Sequence, residues 1–312
     1  MNNRTCPLLK DPENYTPDIQ DLLSNEVARN YWLVTLERTV AKFVDKAGEL
    51  NPDNPKATED AKSCLQKFRQ LIEKIKSDPR ERIDEIDLIN DFNEKWLELI
   101  KGVLAGNVFD WGSSAVAKML AEVPTFGLSH AMDTIEERPW FIDHVNLWIE
   151  RLNSHTFKSA VIFVDNAGVD FVLGILPFIR ELLIMGTRVI LTANSYPSLN
   201  DVTYQELNLY CCSAAQQCNV LKGAISSGQL VTIENGQKGP CLDLKNIPSE
   251  LCDLMVESDL IVLEGMGRSV HTNLNTEFAV DSIKIAVLKN EWLAKSLGAN
   301  QFSVIFKYEP AV

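Results

Sequence analysis

No apolar run in this 312-residue chain is long enough to cross a bilayer, because the longest, Phe171 to Ile179 and Leu182 to Met185, are interrupted by Pro177, Arg180 and Glu181. A membrane-spanning helix is therefore not expected. The first residues (Asn2, Asn3, Arg4, Cys6, Lys10) have no apolar stretch behind them, so neither a secretory nor a mitochondrial leader is expected, and a cytoplasmic address follows by default. Basic residues are too few and too scattered for a nucleic-acid partner: 30 Lys and Arg against 43 Asp and Glu leave a net charge of -13. There is no Gly-x-x-x-x-Gly-Lys-[Ser/Thr] loop, which removes ordinary nucleotide hydrolysis. The four histidines, His130, His144, His155 and His271, lack metal-ligand spacing. The seven cysteines lack it too; their odd number, with Cys211, Cys212 and Cys218 in a helix-like stretch, reads as reduced structural thiols.

What is present is a chain of 46% apolar and 23% charged residues, enough to bury a full core. The first half reads helical. Thr16-Pro17-Asp18 is a helix start, and the segment to about Ala47 carries Val27, Tyr31, Val34, Leu36, Val40 and Phe43 on an apolar side. Thr58 opens a second helix through Ile75, a third is predicted from about Arg80 to Gly102, and Pro139-Trp140 starts another that runs through Leu152. From Ala160 the period changes. Short β-rich runs at 160–164, 188–192, 230–233, 260–263, 283–288 and 302–306 alternate with helices around 169–185, 200–215 and 291–297. Such alternation predicts an α/β fold: a Rossmann-like three-layer α/β/α core with a mostly parallel sheet, residues 154–312, preceded by an N-terminal helical region, residues 1–153.

Ligands of such sheets bind beyond the carboxyl ends of the strands, so the residues that follow each run carry the information. Asp165 and Asn166 follow the first run, Asn194 the second, and Asn200 and Asp201 open the next helix. Glu264-Gly265-Met266-Gly267-Arg268 follows the fourth, and Lys289 the fifth. Asp165, Asn166 and Asp201 can offer three hard oxygen donors to an open octahedral site, with positions left for water and a substrate oxygen. Arg268 can grip an anion with its fork, the two glycines can bring backbone N–H groups close to it, and Lys289 can add a point charge, with Lys284 as its competitor. Each feature has a plainer explanation: Asp165 and Asp201 also read as helix caps, and Gly-x-Gly as a tight turn. A covalent aspartyl-phosphate route needs a second acid two residues after the first; Ala167 stands there, and Asp170 lies too far along the helix.

At these residues the chain resembles a known family. Phe163-Val-Asp-Asn-Ala-Gly168, Leu191-Thr-Ala-Asn194 with Asn200-Asp-Val-Thr203, and above all Glu264-Gly-Met-Gly-Arg268 resemble the damage-control metal-dependent phosphatases, in the subfamily marked by the last of these signatures. The likeness extends to Ala105-Gly-Asn-Val-Phe-Asp-Trp-Gly112 and to Phe302-Ser-Val-Ile-Phe-Lys-Tyr308. It implies a metal site at Asp165, Asn166 and Asp201, with manganese, nickel, cobalt or magnesium as candidates; the residues themselves add Arg268 and Lys289 as catalytic groups that neutralise charge developing on the phosphoryl group. It implies hydrolysis of 4'-phosphopantetheine and of its oxidised or S-sulfonated derivatives, a damage-control step that limits coenzyme A synthesis. Members occur alone or behind a pantothenate kinase domain; with no kinase segment upstream, the free-standing form is expected. Substrate contacts are expected from Asn194, Glu264, Gly265, Met266, Gly267 and Arg268, and from Asn107 and Asp110 on the helical side, where an ordinary loop is the alternative. Two other functions stay open: an S-adenosylmethionine-dependent carboxyl methyltransferase with the glycine loop on the cofactor, and a non-catalytic module that binds a phosphorylated metabolite. The oligomeric state is not legible.

Overall fold

The computed structural model describes residues 81–108, 131, 132 and 135–311, with a few isolated positions between 54 and 62. The chain divides into two compact units, Met1–Pro79 and Arg80–Val312, and the sheet with the helices that cover it belongs to the second. The helix expected over 16–47 lies outside the described residues, as does Asp110; of the one expected over 58–75 only positions 59, 61 and 62 are described, and these are helical.

The expected third helix is two helices, α1 (Glu81–Leu88) and α2 (Phe92–Val108). Asn90-Asp91 divides them because the Asp91 carboxylate accepts the backbone N–H of Glu94 at 2.8 Å, an N-cap that starts a new helix. The helix expected from Pro139 also begins later. Ile142–Asp143 form a short strand, β1, and α3 spans Val145–Ser154. Arg138 grips the Asp143 carboxylate through Nε and Nη2, each at 2.8 Å, and that carboxylate accepts the N–H of Val145, so the chain turns before it coils.

The period-2 segment comes next. β2 (Ser159–Phe163) leads through a π-helical turn (Asp170–Ile175) into α4 (Leu176–Ile184), then β3 (Arg188–Ala193), α5 (Tyr204–Ala215), α6 (Asn219–Ser227) and β4 (Leu230–Glu234). After α7 (Ser249–Met255) come β5 (Leu260–Glu264), a second π-helical turn (Met266–His271), β6 (Asp281–Val287), α8 (Glu291–Ser296) and β7 (Val304–Glu309). The seven strands make one sheet in the order β1-β7-β6-β5-β2-β3-β4. Neighbours pair in parallel except β6 with β7, which are antiparallel.

Alternate residues of the buried strands serve opposite faces. Ala160, Ile162, Val164, Val189 and Leu191 pack with Trp96 and Leu99 of α2, Trp148 of α3, Ile179 of α4, Leu207 of α5 and Leu221 of α6. Val161, Phe163, Ile190, Ile261 and Leu263 pack on the other side with Leu242 and with Leu251 of α7. Helical layers thus cover both faces, as a parallel sheet requires. α2 meets the first π-helical turn almost backbone to backbone: a Cβ on Gly106 would lie 2.8 Å from the Asp170 Cα. Among the described residues Cys211, Cys212, Cys218, Cys241 and Cys252 are free thiols.

The strand order places the functional region. From β2 the chain builds outward through β3 and β4, then returns to the opposite side of β2 with β5 and β6. The reversal opens a crevice beyond the carboxyl ends of β2 and β5, where such folds bind ligands.

Candidate metal centre

Asp165 follows β2, Glu264 ends β5, and Asp170 opens the π-helical turn that β2 feeds. Among the described residues these three buried side chains offer carboxylate oxygens within 4.8 Å of one another. Three like charges so close, away from water, are costly unless protons or a cation compensate. Burial, and then the charge of Asp165, push the Asp170 carboxyl up to about 6. Burial, and then Asp170 and Asp165, hold Glu264 well above the usual carboxylate range. The neutral donors are short of the need. Asn107 gives its amide N–H groups to Asp165, Asp170 and Glu264 at 3.1, 3.1 and 2.9 Å. Asn166 gives its own to Asp165 and Asp170 at 3.1 and 2.8 Å, and the backbone N–H of Asp165 donates to Glu264 Oε2 at 2.5 Å. Asp170 Oδ1 remains buried with no hydrogen-bond partner. An all-oxygen cluster with an orphaned carboxylate oxygen fits a hard divalent cation.

Arg268 borders the cluster. Its Nη1 contacts Asp165 Oδ1, and its Nη2 donates to Asp201 Oδ2 at 2.8 Å and to Asn194 Oδ1 at 3.0 Å. Only 1% of the residue is exposed. Burial opposes its charge, but Asp165 and Asp201 outweigh that and raise its pKa, so it is a permanent cation. Burial likewise raises Asp201, against the pull of Arg268. Asn194 Nδ2 donates to Asp201 at 2.9 Å, and Asn166 and Asp201 form an isolated antiparallel bridge. The structure therefore brings Asp165, Asn166 and Asp201 together, although not as one isolated triplet: Asp201 is tied to Arg268, and Asp165 faces Asp170 and Glu264.

The glycine loop meets a need other than the one expected from the sequence. Gly265 has φ +92°, and a Cβ there would sit 2.2 Å from the Asp165 Cγ; a Cβ on Gly267 would sit 2.3 Å from the Pro240 carbonyl oxygen. The glycines admit a carboxylate and a carbonyl, while the Gly265 N–H donates to Ile285 within the sheet at 2.9 Å. Met266 is partly buried and packs against Val270 and Leu288.

The two competing lysines part company. Lys289 Nζ donates to Asn107 O and Oδ1 at 2.7 and 3.1 Å, beside the carboxylates. Lys284 Nζ is taken by the carbonyls of Leu274 and Thr276 and by Glu309, at the border with β7. Sequence reasoning passed over Asp170, since a straight helix would carry it away from Asp165. Its signal was available: an acid inside Val169-Asp170-Phe171-Val172, on a helix face that has to be buried.

Comparison with known proteins bears on this arrangement. Residues 38–305 match the model of the damage-control phosphatase ARMT1-like domain. A mouse (Mus musculus) protein named 4'-phosphopantetheine phosphatase is 34% identical over 97% of this chain and 48% of its own length. Pantothenate kinase 2 of Oryza sativa subsp. japonica is 34% identical over 97% of this chain and 41% of its own length. A damage-control phosphatase of Arabidopsis thaliana is 34% identical over 77% of this chain and 67% of its own length. The chain thus spans about half, or less, of the first two relatives. A DUF89 family protein from Pyrococcus horikoshii shares the fold, with a TM-score of 0.51 at 14% identity over 94% of this chain and 99% of that one.

Proposed function

This chain belongs to the damage-control phosphatases with an ARMT1-like domain, and on that premise we propose that it is a metal-dependent phosphomonoesterase acting on a small phosphorylated metabolite. One observation carries the reading: three buried carboxylates, one with an orphaned oxygen, lie beside a buried arginine at the switch point of the sheet. A divalent cation bound there supplies Lewis acidity toward a phosphoryl oxygen and lowers the pKa of water. The chain's own groups do the rest. Asp201 and Asn194 hold the Arg268 fork in place, so its charge needs no reorganisation as negative charge develops on the phosphoryl oxygens. Lys289 adds a second positive charge from the β6 side, and burial of the cluster keeps these charges unscreened.

Asp165 is common to two ligand sets, the Asp165, Asn166, Asp201 triplet read from the sequence and the Asp165, Asp170, Glu264 cluster. Both are all-oxygen, which favours manganese or magnesium ahead of nickel or cobalt. For the substrate, the likeness to the mouse protein supports 4'-phosphopantetheine, and we extend the proposal to its oxidised and S-sulfonated forms. The methyltransferase alternative loses its physical basis, because the space at Gly265 and Gly267 is taken by Asp165 and Pro240.

The test is release of inorganic phosphate from 4'-phosphopantetheine by chelator-treated protein resupplied with Mn2+, Mg2+, Ni2+ or Co2+. Release that depends on the added metal and falls by roughly a hundredfold or more in a folded Asp165→Ala variant is the expected result. No release with any of the four metals, or full activity in Asp165→Ala, overturns the reading. Glu264→Gln and Asp201→Asn, compared for Mn2+ affinity, decide which ligand set holds the cation.

A further inference from the structure

Asn107 lies one residue before the end of α2, 1% exposed, with both ends of its amide engaged. Its Nδ2 donates to Asp165, Asp170 and Glu264, while its Oδ1 accepts from Lys289 Nζ at 3.1 Å and from the backbone N–H of Val287 at 3.4 Å. Only this orientation of the amide works. The reverse would set its oxygen against three carboxylates and its NH2 against an ammonium. Lys289 is 2% exposed, and its ammonium also donates to the Asn107 backbone carbonyl at 2.7 Å, an acceptor in the last turn of the helix. A single amide thus stands between an ammonium and a cluster of carboxylates, and the Lys289 charge is felt at Asp170. In so dry a setting that attraction is strong. Without the spacer, a flexible four-carbon stem can carry the ammonium into the place a metal ion needs.

We propose that Asn107 is a positioning residue that holds the Lys289 ammonium out of the carboxylate cluster, and so keeps the cluster open to a divalent cation instead of filled by the protein's own. The inference rests on the metal-site reading and goes beyond it, because it assigns Asn107 to the charge arrangement rather than to substrate contact.

The test is a double-mutant cycle on the full chain, freed of metal with chelator, with Mn2+ affinity read by calorimetry. Asn107→Ala is expected to weaken Mn2+ binding by about tenfold or more, the range seen when groups behind metal ligands are lost. Lys289→Met is then expected to strengthen binding outright in the Asn107→Ala background, by at least about tenfold more than in the wild type; loss of the shared hydrogen bond alone would give coupling but no net gain in Mn2+ binding. Additive effects, or an Asn107→Ala variant that binds Mn2+ like the wild type, overturn the proposal. Should Asn107→Ala fail to fold, Asn107→Ser closes the same cycle. A wild-type protein that binds no Mn2+ sinks the metal-site reading itself, and that result is separate from a failure of the cycle.

Discussion

A methyl group on Gly265 would press on Asp165 in a backbone conformation that L side chains rarely adopt. At φ +92° and ψ 152° Gly265 occupies a region essentially confined to glycine, which costs another residue about 1–3 kcal/mol, and overpacking adds about 1–3 kcal/mol. Gly298, with φ +80° and nothing within 4 Å of an added Cβ, offers a positive φ without the contact. Gly298→Ala should cost about 1–2 kcal/mol in urea unfolding and Gly265→Ala about 2–6 kcal/mol. Equal losses would show that the Asp165 carboxylate moves aside freely. At this scale the sequence was legible where a polar residue ends an apolar strand, as with Asp165 and Glu264, or where an arginine follows a glycine turn, as with Arg268. Asn107 was legible only as a pocket residue through the family likeness, and Asp170 only as an acid on a buried helix face; that the two meet follows from α2 crossing the π-helical turn, a contact no local pattern encodes.

The core strands could be read from the sequence because they are buried on both faces and appear as unbroken apolar runs. β1 could not, since it has two residues, one of them Asp143, and exists through pairing with β7. Nor could the antiparallel direction of β7, which depends on its partner and connection rather than on its own residues. The break between α1 and α2 was legible in principle, because Asn90-Asp91 before Phe92 is a cap signal inside a helical period. Its energetic weight is testable. Asp91→Ala removes the bond to the Glu94 N–H and should lower stability by about 1 kcal/mol. Asn107 lies roughly 24 Å farther along α2, at about 1.5 Å per residue. Mn2+ affinity should therefore not change; a Mn2+ affinity that falls with the cap would mean that α2 shifts as a rigid rod when its start frays.

For the molecule as a whole, the buried carboxylates make stability depend on pH in a direction opposite to the common acid-unfolding pattern. Asp170, moved by burial and by Asp165 from 3.8 to about 6, binds its proton more tightly in the folded, metal-free protein than in the unfolded chain. The stability this contributes is complete below about pH 4 and is lost as pH rises through 6, on the order of 2–3 kcal/mol at about 1.4 kcal/mol per unit. Glu264 and Asp201, also raised chiefly by burial, act in the same sense. Asp143 and Glu309 shift the other way: burial opposes their charge, but Arg138 for one and Lys284 with Lys307 for the other outweigh it. Their contribution is lost only as pH falls below about 4, outside the range of interest. The net charge of -13 adds general repulsion as the remaining protons leave. Chelator-treated protein should thus lose melting temperature between pH 5 and pH 7.5. A cation held by the carboxylates must displace their protons, so its stabilisation grows as those protons leave. Saturating Mn2+ should raise the melting temperature little at pH 5 and most at pH 7.5, with no rise in Asp165→Ala. A Mn2+ increment that stays constant across this range, or survives in Asp165→Ala, would place the cation away from the carboxylate cluster.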